Sequence, residues 1–461
     1  MRAEASLALL VAVIGCSGVG MLVGIGIRPR ARLAWAGVVG LGYLVGLGIL
    51  IVLAQLAIVL QIPFLTALAL TTALGVIGAI SAARQLPPKK QLRPAWDSLD
   101  RAGLVLLSVV VLLLLLLGSV AAWVHPLLDW DAWAIWTMKA VMINQSGGVP
   151  SEIFTNRWYS FMHPDYPIGI PALEAIYFRL AGSEETTHMH VLTWLILPAA
   201  GSGLALLADE RLPAKVWGPI IAALIVVPTV VTQALTAYVD VPVALMLSAG
   251  LLAGANWLES KRLNSLIVCA ALIAGAACMK NEGMTTGLLL FASLSLLGWR
   301  QWKQLALGWA IVLLAVVPWR LFLSLNSITG DLSPSRLIDT NYLSAHFGRA
   351  TGGLTGLLSQ AFSLQGQSPA QDLIVGAILV SAAAVVILSL SDRVAVFALL
   401  VILASLLAIT SAYLVSYPVS LSGRIASSAP RVVLTPVMLL MLGAMLQLRR
   451  RSSPAQSISE Q

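Results

Sequence analysis

The stretch that decides the fold class is residues 104–124, LVLLSVVVLLLLLLGSVAAWV, which contains no charged side chain. About 20 consecutive apolar residues are enough for a helix to cross the hydrocarbon layer of a bilayer. The segment DWDAWAIW at residues 129–136 then brings two acids and three tryptophans close together in the chain. The sequence therefore predicts a transmembrane helix that is followed directly by an acidic and aromatic segment.

The composition extends this prediction to the whole chain. Of 461 residues, 59% are hydrophobic and 10% are charged, and the mean hydropathy is +0.90, whereas about a quarter of a soluble domain is charged. Only helices and closed barrels satisfy every backbone polar group inside a membrane. The long Leu, Ala and Val runs lack the two-residue alternation of barrel strands, so we expect an all-α polytopic membrane protein.

Hydrophobic runs divide the chain into about 13 predicted spans. They are residues 5–27, 33–60, 64–83, 104–124, 187–208, 216–234, 239–258, 264–280, 284–298, 305–325, 373–391, 394–414 and 431–448. The loop at residues 84–101 is the best candidate for a domain boundary, because it is rich in Lys, Arg and Pro. It would separate three additional N-terminal helices (1–101) from a core (102–461).

The positions of Lys and Arg predict the orientation, because basic residues concentrate in cytoplasmic loops. Alternate loops carry most of them, including Arg28, Arg30, Arg32, the segment 84–94 and the C-terminal Arg449, Arg450 and Arg451. In an inner (plasma) membrane, this orientation places the C-terminus in the cytoplasm and the N-terminus outside. The first, second and third outer loops would be residues 125–186, 326–372 and 416–431. Because the net charge of +8 arises at helix ends, we expect membrane lipids as partners and no nucleic acid.

The N-terminus and the cysteines exclude other classes of protein. The segment VIGC at residues 13–16 resembles a lipoprotein cleavage site, but the basic cluster follows the apolar run instead of preceding it, so we expect an uncleaved helix. Cys16, Cys269 and Cys278 lie inside apolar runs and indicate neither a disulfide framework nor a zinc motif.

The two acids after the first core span can serve structure or chemistry. We expect a helix to start here, with Asp129 as the N-cap whose carboxylate accepts from backbone N–H groups. Asp131 would then point about 200° away and can face a cavity; the alternative is that both acids only cap. Trp133 and its neighbouring tryptophans fit an interfacial aromatic belt, or a stacking wall for a sugar or prenyl chain.

The segment HPDYPIGIPALEAIYF at residues 163–178 combines a polar opening, three prolines and an amphipathic run. Its spacing predicts a helix that lies on the outer surface and does not span the membrane. His163 and Asp165 are candidates for binding substrate phosphate or a divalent metal. Turn formation by the prolines is the alternative interpretation.

Charged residues recur at the outer ends of later spans, and charge at membrane depth is costly and commonly functional. Asp240 precedes Pro242 and is a candidate helix cap. Lys280 and Glu282 share a short turn, either as a self-neutralising pair or as part of a pocket for an anionic headgroup.

Arginines in the third outer loop oppose the positive-inside trend. Arg424 and Arg431 are therefore candidate phosphate ligands, since a guanidinium stays charged and can bind phosphate with two hydrogen bonds. His346 and Arg349 in the second outer loop are further candidates.

These motifs resemble, in order, those of the GT-C superfamily of integral-membrane glycosyltransferases, including protein O-mannosyltransferases and the lipid A aminoarabinose transferase. DWDAWAIWTMKA (129–140) resembles the family's acidic motif in the first outer loop. HPDYPIGIPALEAIYFRLAG (163–182) resembles the juxtamembrane segment that follows this motif in the family. AYVDVPVALML (237–247), CMKNEG (278–283) and APRVVLTPVMLL (429–440) are similar to later motifs. The family often has adjacent Asp and Glu, whereas the acids here are split by a tryptophan.

The resemblance implies a GT-C-like helical bundle and an inverting transfer of a sugar from a polyprenyl-phosphate donor to a lipid, glycan or protein acceptor outside the cytoplasm. Asp131, favoured over Asp129, would be the general base, while Arg431, Arg424 or Lys280 holds the donor phosphate. His163, Asp165, Asp240, Glu282 and Trp133 would line the pocket. A divalent metal is conceivable, and no cofactor is certain. The alternative function is a lipid-carrier flippase or a secondary transporter.

Overall fold

The computed structural model describes residues 2–27, 34–84, 98–330, 334–362, 369–415 and 420–448. None of these residues forms a strand, and most are helical, which confirms the predicted all-α class. Most of the basic residues in segments 28–32, 84–94 and 449–451, on which the predicted orientation depends, lie outside the described residues.

The α-helices of the described chain are named in two sets by their position in the sequence, an N-terminal group and the helices that follow it, which are called the core. The N-terminal group is α1 (Arg2–Gly24), α2 (Ala34–Val59) and α3 (Thr66–Ala83). The first half of the core is α4 (Ser98–Leu113), α5 (Ser119–Val124), α6 (Met138–Ser146), α7 (Ser151–Phe154), α8 (Gly169–Ala181), α9 (His190–Trp194), α10 (Ile196–Asp209), α11 (Ala214–Ile225) and α12 (Pro228–Leu235). The second half is α13 (Asp240–Ser260), α14 (Leu263–Met279), α15 (Asn281–Gly298), α16 (Trp302–Leu325), α17 (Thr340–Phe362), α18 (Pro369–Ile387), α19 (Arg393–Val415), α20 (Leu421–Val432) and α21 (Leu434–Gln447).

Small residues hold the N-terminal helices together. A Cβ placed on Gly18 of α1 would lie 1.8 Å from the carbonyl oxygen of Gly42 in α2, and one on Gly20 would lie 2.2 Å from that of Gly75 in α3. Only glycine permits this approach. Packing of small residues is the usual way in which helices associate inside lipid, where the hydrophobic effect gives no preference for helix over lipid contact.

Gln55 connects the N-terminal group to the core. Its Nε2 donates to the carbonyl of Ala315 in α16 (2.9 Å) and to Sγ of Cys278 in α14 (3.3 Å), and its Oε1 accepts from the backbone N–H of Ile168 (3.2 Å). A buried amide satisfied on both sides fixes the relative positions of the elements it contacts. We call this end of the bundle, where Gln55 makes these bonds, the loop end.

The first large loop, residues 125–186, is largely helical. It contains a π-helical segment (Asp131–Thr137), α6, α7, a 3-10 segment (Arg157–Met162) and α8. The sequence correctly predicts a short helix at α8, but this helix is not an exposed amphipathic one. Nearly all of its residues are buried, because α1, α2 and α6 pack on it.

Nine helical segments of the described chain are long and apolar enough to span a membrane, or ten if the bent pair of α11 and α12, at 55°, is one span. Leu263–Met279 and Gln371–Ile387, which correspond to two predicted spans, are apolar but shorter. The longest segment, Asn281–Leu325, is a hairpin, because Trp309 Nε1 donates to Ser295 Oγ (3.0 Å) across its two arms. Thirteen spans therefore remain a prediction.

The second and third large loops, predicted at residues 326–372 and 416–431, also contain helices that the sequence did not predict, α17 and α20. Three side chains dock the α17 region on the end of α19: Arg336 Nη1 donates to the carbonyl of Val415 (3.1 Å), the Tyr342 hydroxyl to that of Leu414 (3.1 Å), and Arg349 Nε to that of Tyr413 (3.4 Å). The last carbonyls of a helix have no partner within it. The α17 region supplies those partners.

Candidate functional site

Five charged side chains form a continuous series at the loop end of the bundle. Arg431 donates a hydrogen bond to the Asp131 carboxylate, and its Nη1 lies 3.8 Å from Oδ2 of Asp240. Lys280 Nζ lies 2.7 Å from Oδ1 of Asp240 and 3.6 Å from Oε1 of Glu282. These five residues, in the order Asp131, Arg431, Asp240, Lys280 and Glu282, are called the ionic chain.

Different elements supply each member of the ionic chain. Asp131 opens the π-helical segment, and Asp240 and Glu282 lie in the first turns of α13 and α15. Lys280 is the extended residue between α14 and α15, and Arg431 lies in the last turn of α20. A π-helical turn is rare and frequent at functional sites, and here it carries the acid that contacts Arg431.

The ionic chain is buried at its centre and more open at its ends. Side-chain exposure is 5% for Asp240 and 7% for Lys280, and it rises to 19% for Asp131 and 23% for Glu282. A charge taken out of water is stable only with a close partner. Asp240 and Lys280 therefore form the fixed centre, whereas Asp131 and Glu282 are more accessible.

The ionic chain has three acids and two bases, so its formal charge is −1. Glu282 Oε2 is buried and accepts no hydrogen bond from the described residues. Next to it lies a small space of about 10 Å³, lined in part by Asp240, Lys280, Glu282 and Thr286. That volume holds about one water molecule, so the space at the centre of the series is too small for a sugar or a phosphate.

Two predicted helix caps are wrong. Trp130, not Asp129, occupies the N-cap position of the π-helical segment, and no side chain caps it. Val239 occupies the N-cap position of α13, also without a side-chain bond. Asp240 instead pairs with the buried Lys280 and faces Arg431, because ion pairing with these two bases is stronger than a cap bond.

The tryptophans around Asp131 divide into exposed and buried rings. Trp133 is 37% exposed and Trp158 is 81% exposed, as expected for an interfacial belt, and Trp130 packs edge-on against Trp133 (centroids 4.9 Å apart). Trp136 is 1% exposed and stacks on Tyr166 (5.9 Å). The belt interpretation fits the exposed rings, whereas Trp136 is a core residue of the first large loop.

Tyr238 is a site residue that the sequence did not indicate. Its ring lies under the Arg431 guanidinium, 4.6 Å from centroid to Cζ. Burial, followed by the nearby Asp131 carboxylate, raises the pKa of the Tyr238 hydroxyl, so this group is protonated at neutral pH. The ring face holds the guanidinium in position through a cation–π contact.

A second polar network lies beside the ionic chain and contains Asp165, Asn281 and Arg320. Asn281 Nδ2 donates to Asp165 Oδ2 (2.7 Å), and Arg320 donates to the Asn281 amide oxygen. Trp319 Nε1 donates to the Asp165 carbonyl (3.2 Å). Because Asn281 follows Lys280 in the chain, the start of α15 joins this network to the ionic chain.

Lys139 fixes the loop that carries Asp165. It is fully buried, and its Nζ donates to the His163 carbonyl (2.6 Å) with the rings of Trp136 and Tyr166 less than 6 Å away. Burial lowers the pKa of Lys139 to about 7. The sequence offered one signal for Lys139, Asn281 and Arg320, namely polar residues inside or beside apolar runs.

The remaining candidates do not join the ionic chain. His163 stacks on Tyr166 (4.7 Å), and Asp165 belongs to the second network. Among the described residues, no group of three or more His, Cys, Asp or Glu side chains is placed to hold a metal ion. Arg349 docks on α19, as described above, and His346 Nδ1 contacts the carbonyl of Tyr342 one turn away (3.0 Å).

Arg424 is half-buried on α20, seven residues before Arg431. A seven-residue separation is close to two helical turns, so the two guanidinium groups share a face. No carboxylate forms an ion pair with Arg424 within the described part of the chain. Arg424 therefore keeps its donors available on the face of α20 that it shares with Arg431.

The all-helical bundle and its apolar segments are consistent with an integral membrane protein that carries a polar site at one end. Comparison of the chain with protein-family models, with curated proteins and with solved structures finds no match.

Proposed function

We propose that this protein is a membrane glycosyltransferase with a GT-C-like bundle of up to thirteen spans. It would move a sugar from a polyprenyl-phosphate donor to a lipid, glycan or protein acceptor on the extracytoplasmic side of the plasma membrane. Transfer would invert the anomeric carbon, with Asp131 as general base.

The observation that carries this proposal is the contact between Asp131 and Arg431. It brings the acid of the first large loop against an arginine near the last helix, 300 residues away, in a partly open position. A carboxylate and a guanidinium in contact provide a proton acceptor and a phosphate ligand within one ligand's reach.

The chemistry follows from an exchange of partners. The donor phosphate would take the Arg431 N–H groups, with Arg424 as a second ligand, and the Asp131 carboxylate would then accept the proton of the acceptor hydroxyl. The acceptor oxygen bonds to the anomeric carbon as the bond from that carbon to the phosphate oxygen breaks. The phosphate leaves with the bonding electron pair, and the guanidinium groups stabilise its charge.

The fixed centre would orient Arg431 during this exchange. Lys280 is occupied by Asp240 at 2.7 Å, so we assign it to holding Asp240 in place more than to direct phosphate contact. Asp240 and the Tyr238 ring keep Arg431 in position when Asp131 releases it. Trp133, exposed beside Asp131, is placed to contact the sugar or the prenyl chain.

The test is transfer or release of sugar from a labelled polyprenyl-phosphate sugar by the purified full chain in lipid vesicles. Asp131→Asn should lower product formation by at least about 100-fold, since general base catalysis contributes that much or more. Asp129→Asn, which changes an acid two residues away with no ion pair of its own in the described chain, is the matched control. Full activity of Asp131→Asn would remove this residue from the mechanism.

A lipid-carrier flippase or secondary transporter is the second candidate function. The bend of 55° between α11 and α12 favours it, because transporters build their substrate sites from broken helices. Movement of the labelled donor across the vesicle membrane without cleavage would support the transporter and contradict the transferase.

A further inference from the structure

A second cavity lies at the loop end of the bundle, between the N-terminal helices and the first large loop. Its volume is about 280 Å³, and it is lined by Gln61, Ile62, Pro63, Phe64, Leu65, Gly147 and Arg179. None of these residues belongs to the ionic chain or to the second polar network. We call this space the hairpin cavity, because the turn between α2 and α3 forms most of its wall.

Two chain reversals and the last turn of α8 build the hairpin cavity. Gln61, with φ of 56°, turns the chain after α2, and Gly147, with φ of 77°, ends α6. Arg179 lies in the last turn of α8. Positive φ at Gln61 is uncommon for a residue with a side chain, and here it directs the apolar residues that follow it toward Arg179.

Arg179 provides the only charge among the lining residues. Its Nε donates to Asn144 Oδ1 (3.0 Å), its Nη2 donates to the Asn144 carbonyl, and the guanidinium stands 5.4 Å from the Phe64 ring centroid. These contacts fix the plane of the guanidinium. Arg179 Nη1 makes no hydrogen bond to another described residue, so this nitrogen can donate to a ligand.

Glu184 is a neighbouring acid that is joined to Arg179 only through Asn144. Both carboxylate oxygens of Glu184 accept from amides, Oε1 from Asn144 Nδ2 (3.0 Å) and Oε2 from Gln145 Nε2 (3.1 Å). Within the described chain, no ion pair joins Arg179 to a carboxylate. The exposed Arg179 guanidinium therefore has no direct carboxylate partner among the described residues and can donate to an anion.

The rim of the cavity is apolar and lies at the end of two candidate spans. Leu60 is 62% exposed, Ile62 is 43% exposed and Leu65 is 36% exposed, directly between α2 and α3. Exposed aliphatic side chains at the end of a span lie where the acyl chains meet the headgroups. A ligand with one anionic group and hydrocarbon chains fits this combination.

We propose that the hairpin cavity binds the phosphodiester headgroup of an anionic phospholipid from the leaflet at the loop end. Arg179 would donate to the phosphate oxygens, and the acyl chains would lie along Ile62 and Leu65. The bound lipid would join the turn between α2 and α3 to α6 and α8. This gives the N-terminal helices a role in lipid binding that is independent of any transfer reaction.

The test uses the full chain in phosphatidylcholine vesicles that contain a small fraction of a photoreactive phosphatidylglycerol. Cross-linking to the peptide containing residues 60–65 is then measured by mass spectrometry. We expect Arg179→Gln to lower the cross-link yield at least about tenfold. Arg157→Gln, which changes an exposed arginine of the same large loop that does not line the cavity, should leave it unchanged.

A second variant keeps the test valid if loss of the Asn144 bonds disturbs the fold. Ile62→Trp enlarges a side chain that lines the cavity, leaves Arg179 unchanged, and should also lower the yield at least about tenfold. Equal yields from wild type, Arg179→Gln and Ile62→Trp would overturn the proposal. Loss of the cross-link on addition of millimolar inorganic phosphate at constant ionic strength would also overturn it, because the ligand would then be a soluble anion.

Discussion

Arg431 donates a hydrogen bond to the carboxylate of Asp131, although 300 residues separate them in the chain. The same guanidinium lies 3.8 Å from Asp240 and over the Tyr238 ring. Arg431 therefore links the first large loop, the start of α13 and the end of α20. Because Asp131 is the more exposed of its two acid partners, it is the one that a ligand can replace.

Substitution of Arg431 should affect donor binding most strongly. We expect Arg431→Gln to raise the KM for the polyprenyl-phosphate donor by about tenfold or more and to lower kcat, since a charge-assisted bond to phosphate is lost. Arg157→Gln, at an exposed arginine of the same end, should change neither value. Steady-state kinetics in vesicles measure both, and an unchanged donor KM in Arg431→Gln would contradict phosphate binding by this residue.

Removal of Asp240 should destabilise the protein. Asp240→Asn leaves Lys280 buried with only the more distant Glu282, and breaking a buried pair costs about 3 kcal/mol. The apparent Tm of the detergent-solubilised protein should fall clearly, whereas Glu152→Gln, at an exposed acid, should leave it unchanged. The double variant Asp240→Asn/Lys280→Gln should recover part of the loss; a double variant less stable than Asp240→Asn would argue against a coupled pair.

Glu174 should give the protein a pH-dependent stability. Burial raises the pKa of this carboxyl from 4.5 to about 8, and α8 lies outside the candidate spans. Its protonated form is therefore favoured in the fold, and that contribution is full below pH 4.5 and is lost as the pH rises through 8. The apparent Tm of Glu174→Gln should match wild type near pH 5 and exceed it progressively up to pH 9.

The matching control for this effect is Glu152→Gln, whose apparent Tm should follow that of wild type at every pH. Lys139, with a pKa lowered to about 7, acts in the opposite direction between pH 7 and 10.5, so the difference between variant and wild type is the quantity to compare. A constant difference between Glu174→Gln and wild type from pH 5 to 9 would contradict the raised pKa.

The position of α20 should depend on its contact with α17. A Cβ on Gly356 would lie 2.9 Å from two side-chain atoms of Ile425, whereas a Cβ on Gly348 of the same helix meets nothing within 4 Å. Gly356→Leu should therefore displace α20 with Arg424 and Arg431 and lower transfer activity about tenfold. Gly348→Leu should retain near wild-type activity, and equal activities of the two variants would show that α17 does not position α20.

The sequence predicted the parts of the site whose signal is local. Asp131, Asp240, Lys280, Glu282 and Arg431 are recognisable because charge is rare in this chain and stands out at the ends of apolar runs. The same reasoning failed for the caps at Asp129 and Asp240, since cap preference is a weak local effect and ion pairing with residues distant in the chain is stronger. It also missed Tyr238 and Asn281, whose residue types carry no charge, and the charged Lys139 and Arg320, which lie among apolar residues.

The sequence by itself determined the helical class and the apolar segments, because a backbone in lipid must satisfy its own hydrogen bonds and the length of an apolar run is a local property. Only the tertiary structure decided which charges meet. Asp131 and Arg431 come together because α20 docks on α17 and contacts α13, while the π-helical segment packs against α6 and α8, and such contacts depend on the shape of the whole bundle. The order of the ionic chain, and therefore which acid a ligand can displace, follows from that packing.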